Sequence, residues 1–198
     1  MRTSRTTRAL SALAAGLALS LVAACGSDNQ DDPAGSSASS AQHNDADVSF
    51  AQDMLVHHSQ ALTMVELTDG RSLTPEVKQL ATEIKAAQAP EIKTFTSWLN
   101  EWDEEVPEAS ADMGSMEGMD SDMPGMMSSD DMTKLESAPD SQFQSMWLEM
   151  MIEHHEGAVD MAKEQIDKGK YEPAIKLAEE ISTSQTAEVA EMKQLLAS

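Results

Sequence analysis

One cysteine, Cys25, stands among 198 residues, so the chain has no internal disulfide, no Cys-x-x-Cys redox pair and no thiolate cage for a metal. Basic residues are scarce too: 13 Lys and Arg face 35 Asp and Glu, for a formal net charge of -22. A chain this acidic repels phosphate backbones and anionic headgroups, which excludes nucleic acid as a partner and rules out a basic membrane-surface patch. Aromatic residues make up only 4% and include a single tyrosine, Tyr171. Strict period-two alternation is missing over any useful length, so no sheet is expected. Two residue types stand out against this background: 15 Met and 5 His, four of the latter in two adjacent pairs.

Residues 1–24 read as a secretory signal. Arg2, Arg5 and Arg8 precede a charge-free apolar run from Ala9 to Ala24, too short for a membrane span. The run ends Leu21-Val22-Ala23-Ala24-Cys25, which resembles the bacterial lipobox, whose cysteine is lipidated and becomes the first residue of the mature chain. Residues 25–46 then form the lipidated Cys25 and a tether of Ser, Asp, Ala and Gly that cannot bury a core. The expected location is the extracytoplasmic side of a bacterial cell membrane, with the membrane itself a partner through the lipid.

The remainder, 47–198, is one domain in size and is internally duplicated. Shifted by 97 positions, Met54, His57, His58, Ala61 and Met64 fall on Met151, His154, His155, Ala158 and Met161. Further on, Gln88, Glu91 and Leu99 fall on Gln185, Glu188 and Leu196 without a gap. Each unit reads as a helical hairpin, 47–102 and 140–198. Ser49-x-x-Gln52 suggests a capping box for the first helix, and Asp140 an N-cap for its equivalent. Asp69-Gly70 and Lys168-Gly169-Lys170 mark the turns, and Thr74-Pro75-Glu76 opens the second helix with proline at its first position. Pro90 is expected to kink that helix. Apolar residues recur at helical spacing as Phe50, Met54, Ala61, Val65; Val77, Leu80, Ile84, Ile92, Phe95, Leu99; Phe143, Trp147, Met151, Ala158, Ala162; and Ile175, Leu177, Ile181, Val189, Met192, Leu196. Two such hairpins predict an all-α four-helix bundle. The connector, 103–139, belongs to neither hairpin and is expected to add nothing to the apolar faces.

Three features point to metal chemistry. Four of the five histidines are the doublets His57-His58 and His154-His155, which an approximate two-fold would bring face to face. Neighbouring helical residues diverge by about 100°, so each doublet should aim one ring inward and one to the flank. Three residues before each doublet stands a methionine, Met54 or Met151, where di-iron bundles carry glutamate. Exchanging a carboxylate for a thioether moves preference from iron toward copper, above all Cu(I). Met64 and Met161 follow seven residues after His57 and His154. Met on an apolar stripe is ordinarily packing; beside the doublets these four become candidate ligands. Glu91 and Glu188 are either ligands, acceptors that orient the imidazoles, or part of a solvated face. The connector, finally, carries Met113, Met116, Met119, Met123, Met126, Met127 and Met132 among Gly, Ser, Asp and Pro. Spaced thioethers on such a chain can wrap Cu(I) or Ag(I). Thioether sites should survive mild acid, whereas imidazole sites should fade near about pH 6.5.

The tandem Met-x-x-His-His-x-x-Ala-x-x-Met, each followed by Gln-x-x-Glu, resembles the bacterial domain of unknown function 305 family from about Asp47 to Leu196. The resemblance implies a ferritin-like fold and, as in some members, copper binding in the cell envelope. It points to Met54, His57, His58, Met64, Met151, His154, His155 and Met161 as ligands, with copper-handling envelope proteins as partners. The expected role is therefore copper buffering, resistance or delivery without catalysis. Two other classes stay open: a cuprous or iron oxidase on the same bundle, and a purely structural envelope lipoprotein. Neither repeat contains Glu-x-x-His, which counts against iron. A structural role leaves the clustering of His and Met without a cause.

Overall fold

The computed structural model describes residues 43–108 and 123–197. The signal segment, Cys25, nearly all of the tether, and Met113, Met116 and Met119 lie outside the described residues. Five helices follow in order: α1 (Asp45–Glu66), α2 (Pro75–Trp102), α3 (Ser129–Ser137), α4 (Asp140–Lys168) and α5 (Glu172–Leu196), with no strand among the described residues. The four long helices form two hairpins, α1–α2 and α4–α5, and α1 lies against α4. The all-α bundle read from the periodicity is the fold.

Local chemistry departs from the expected caps in two places. α1 starts four residues before Ser49, inside the supposed tether, with Asn44 as N-cap and Asp47 completing a capping box. Asp140 is the first helical residue of α4, and Pro139, at the cap position, makes no side-chain cap. Asp140 instead pairs with Arg71 Nη1 at 3.3 Å. α2 opens as expected on Thr74 with Pro75 at its first position and runs on through Pro90 as one helix.

Two apolar clusters fill the bundle, one at each end. One gathers Met64, Leu80, Ile84, Phe143, Trp147, Met151 and Met192; the other gathers Phe50, Met54, Phe95, Leu99, Ala158, Ala162 and Ile181. Met54 and Ala61, on either side of His57 in α1, belong to opposite clusters, and so do Met151 and Ala158 around His154. The doublets therefore occupy the layer between them. Trp147, Phe95 and Phe143 are fully buried, each a contribution of about 1.5–3 kcal/mol. The periodicity fails at the end of α5, where Leu196 is 36% exposed although its equivalent Leu99 is buried.

The repeat also organises polar contacts. Buried Asp47 accepts from the backbone N–H groups of Lys170 and Tyr171 at 3.1–3.2 Å and from the Gln165 amide, tying the start of α1 to the α4–α5 turn. Its counterpart 97 residues on, Gln144, accepts from Thr74 N–H at 2.9 Å and ties the start of α4 to the α1–α2 turn.

The connector needs correcting. Its C-terminal part is built into the bundle, because Ser128 caps α3 by accepting from Asp131 N–H, and α3 buries Met132 and Leu135. Met127 is buried as well, while Met123 and Met126 pack half-buried on the cluster containing Phe50 and Phe95. Arg71 secures the α3–α4 junction by donating to the Ala138 and Glu136 carbonyls and stacking over the Phe143 ring at 4.4 Å.

Candidate metal centre

His57 and His154 meet in the middle of the bundle. Their ring centroids are 3.7 Å apart with planes tilted by 39°, and neither ring reaches solvent. His58 and His155 point to the flanks, as the 100° step between neighbours requires. There each donates or shares its Nε2 proton with a carboxylate on the second helix of its own hairpin: His58 with Glu91 Oε2 at 2.6 Å, His155 with Glu188 Oε2 at 2.9 Å. The two glutamates thus act on the doublets in the same way, through the ring nitrogen facing away from the core.

Five imidazole nitrogens in this layer are buried without a hydrogen-bond partner: Nδ1 of His57, His58 and His155, and both nitrogens of His154. Leaving a polar atom this way costs about 1–3 kcal/mol each. The protonation states follow from the surroundings. Burial pushes His57 down to about 3, helped by the charge that His58 would carry. His154 is lowered well below the ordinary histidine range, again first by burial and then by His57 and His155. Both rings are therefore neutral at pH 7. His57 donates its Nε2–H to the Pro124 carbonyl at 3.1 Å, which leaves its lone pair on Nδ1. Neutral imidazoles with unengaged lone pairs are what copper and silver ions coordinate.

The donor set fits such an ion, with one qualification in its composition. Among the described residues, no three His, Cys, Asp or Glu side chains are grouped to hold a metal by themselves. Imidazole here needs thioether or backbone partners, in keeping with the methionine-bearing repeat. Met54 and Met151 are fully buried one turn before His57 and His154. Met64 and Met161 part company: Met64 is buried in one apolar cluster, and Met161 lines a surface cavity of about 250 Å³ beside Asp45, Asp53 and Glu164. The two lie in opposite apolar clusters, Met64 with Leu80 and Phe143 and Met161 with Phe50 and Phe95, so their equivalence in sequence does not give them the same surroundings. Of the connector methionines within the described residues, Met123, Met126 and Met127 lie on the segment whose Pro124 touches His57, and Met132 lies in α3.

Several site residues escaped the sequence reading. Gln60 exchanges two hydrogen bonds with the Met127 backbone, both 2.8 Å. Gly157, at the equivalent place in α4, lies under the Pro124 carbonyl. Gln88 and Gln185, read in the sequence only as part of Gln-x-x-Glu, are buried with unpartnered amide atoms one turn before Glu91 and Glu188. The readable signal was a glycine inside a helix where the other repeat has glutamine.

Comparison with known proteins supports a family assignment. The model of the domain of unknown function DUF305 matches residues 47–196. A DUF305 fragment from Deinococcus radiodurans is 28% identical, covering 78% of this chain and 97% of that one with a TM-score of 0.67. A DUF305 protein from Streptomyces coelicolor, described as secreted, is 34% identical over 77% of this chain and 92% of its own, also with a TM-score of 0.67. CopM in its Cu(I)-bound form is 30% identical over 75% of this chain and 94% of its own, with a TM-score of 0.60. CopM structures with Cu(II) and with silver align similarly. Protein L153 of Acanthamoeba polyphaga mimivirus is 40% identical over 55 residues, and the match spans 36% of that curated relative. The DUF305 family thus includes a copper- and silver-binding member, and with its duplicated hairpins and paired histidine doublets this chain belongs to the DUF305 family.

Proposed function

We propose that this protein is an extracytoplasmic lipoprotein that binds copper, as Cu(I), and binds Ag(I) in the same way, for buffering, resistance or delivery. The observation that carries the reading is the set of five unpartnered imidazole nitrogens buried where the two repeats meet. Natural cores rarely keep such atoms without a purpose, and a soft ion engages them directly. Copper-bound CopM, 30% identical and similar in fold, supports the choice of ion. His57, His58, His154 and His155 supply the nitrogen donors, with Met54 and Met151 as the nearest thioethers in sequence. Met64, Met161 and the connector residues Met113, Met116, Met119, Met123, Met126 and Met127 supply further soft ligands for capture. Glu91 and Glu188 hold the flanking rings through Nε2.

Binding rather than turnover is the proposed role, with copper-handling envelope proteins as donors or acceptors of the ion. The lipid on Cys25 would keep the bundle at the membrane, and the secreted description of the Streptomyces relative agrees with an extracytoplasmic site. Metal analysis of protein purified from the membranes of copper-supplemented cells tests the whole reading. Copper that is retained by the intact chain and lost in a variant with all four doublet histidines replaced supports it. Protein that carries no copper, or carries the same amount after replacement, refutes it.

A further inference from the structure

The two doublets are related by the repeat, yet their surroundings differ, and the difference comes from one segment of main chain. Met123–Met127 returns from the connector across α1 and α4 beside the histidine layer. Three hydrogen bonds fix it. Gln60 donates its amide N–H to the Met127 carbonyl and accepts Met127 N–H with its amide oxygen, each at 2.8 Å, and His57 Nε2–H donates to the Pro124 carbonyl at 3.1 Å. On the opposite side, α4 makes room with Gly157. A Cβ there would come within 2.0 Å of the Pro124 oxygen, 2.4 Å of its carbon and 2.7 Å of Gly125 N, all backbone atoms. Gly125 itself has φ +75, and its own Cβ would meet the Glu153 carbonyl at 2.5 Å. Both glycines are thus demanded by the docking.

Positions 60 and 157 correspond under the 97-residue shift, each three residues after an inward histidine. In one repeat the place holds an amide that grips the segment; in the other it holds the hydrogen atom that lets the segment approach. Hence His57 has Nε2 occupied by Pro124, while its mate His154 has both nitrogens unengaged. We propose that Gln60 and Gly157 are positioning residues of the ion site: they seat Met123–Met127 so that the Pro124 carbonyl holds His57 in the Nε2–H form and makes Nδ1 its metal donor. The two doublets are then unequal, His57 presenting one defined nitrogen and His154 either. The proposal rests on the doublets being the ion site, but the seating itself does not.

Two measurements on the full ¹⁵N-labelled chain separate these. In the metal-free protein, the Nε2–H proton of His57 should be visible and protected from solvent exchange. Gly157→Ala, whose new methyl meets only the docked backbone among its nearest atoms, and Gln60→Leu, which deletes both bonds to Met127, should each accelerate that exchange at least about tenfold. Helical circular dichroism should stay unchanged. In the Ag(I)-loaded protein, silver coupling should split the Nδ1 resonance of His57 in the unaltered chain, and should spread to Nε2 in both variants. Unchanged protection of the His57 proton in both variants would overturn the seating, as would silver on Nε2 of the unaltered chain. Silver coupling at none of the four doublet histidines would instead refute the ion-binding reading, with the exchange result still deciding the seating.

Discussion

His57 and His154 face each other with ring centroids 3.7 Å apart, and three of their four ring nitrogens have no hydrogen-bond partner. The two rings lie in direct contact, and their unengaged nitrogens count against the folded state. Stability and binding should therefore pull in opposite directions here. His154→Leu keeps the approximate volume and removes two unsatisfied buried nitrogens. The metal-free variant should be as stable to urea as the original or more so, by up to about 2 kcal/mol in unfolding free energy, while Ag(I) affinity falls. A metal-free protein weakened by more than about 1 kcal/mol would mean that the nitrogens have partners after all.

Acid should act on the same pair. His57 is lowered from 6.5 to about 3 and His154 is lowered too, both mainly by burial. Between these limits the unfolded chain binds protons that the folded chain refuses, so stability is complete above about pH 6.5 and declines as pH falls toward about 3. The slope is at most about 1.4 kcal/mol per pH unit for each buried imidazole. Urea titrations at several pH values should show the midpoint dropping throughout this window. The same burial amends an expectation drawn from sequence: protons compete with a metal for His57 only near about pH 3, so Ag(I) at the central pair should persist at pH 5. A midpoint independent of pH between 6.5 and 4 would contradict both statements.

Glu91 and Glu188 make matched bonds to His58 and His155, and each side chain is 18% exposed. A carboxylate on Nε2–H makes the opposite nitrogen of the ring more basic and fixes which way it faces. Glu91→Gln retains an acceptor but loses the charge, and should weaken copper or silver binding about tenfold or more with little effect on folding. Glu188→Gln should do the same to a comparable degree. Competition titrations against a chromophoric Cu(I) chelator measure both; unaltered affinity in both variants would reduce these residues to a solvated helix face.

The helices and the doublets were legible because they depend on periodicity and on a repeat that keeps its register through two turns. What escaped depends on contacts between distant parts of the chain. Asp47 looks like one more acid in the first turn of a helix, yet it holds backbone groups over 120 residues away. Ser49-x-x-Gln52 matches a capping pattern, but Asn44-x-x-Asp47 lies just upstream and wins, since Asn44 also reaches the Lys168 carbonyl at 2.9 Å. The short α3 could have been read from Ser128-x-x-Asp131 followed by Met132 and Leu135, had the low-complexity surroundings not masked a three-residue apolar spacing. Val56 is buried where its counterpart Glu153 is exposed, an asymmetry visible in the sequence that signals a third neighbour for α1.

That third neighbour sets the last prediction, because it divides the methionines of the connector into two kinds. Met127 and Met132 are 8% and 4% exposed and join the apolar cluster of Leu80 and Phe143, so deleting residues 113–132 removes part of the core. The deletion should destabilise the bundle rather than leave it intact as the sequence suggested. Met132→Ser replaces a buried thioether with a small hydroxyl and should cost about 2–4 kcal/mol, read as a lower urea midpoint. Met113, Met116 and Met119 precede the docked segment and are offered as ligands alone. Replacing these three together by Ser should leave the unfolding free energy from urea titration within about 0.5 kcal/mol of the original and lower the number of Ag(I) ions bound. The two variants thus exchange effects, one losing stability and the other capacity. If the triple variant binds as much Ag(I) as the unaltered chain, the first half of the connector is a spacer, and copper binding rests on the bundle and the segment docked against it.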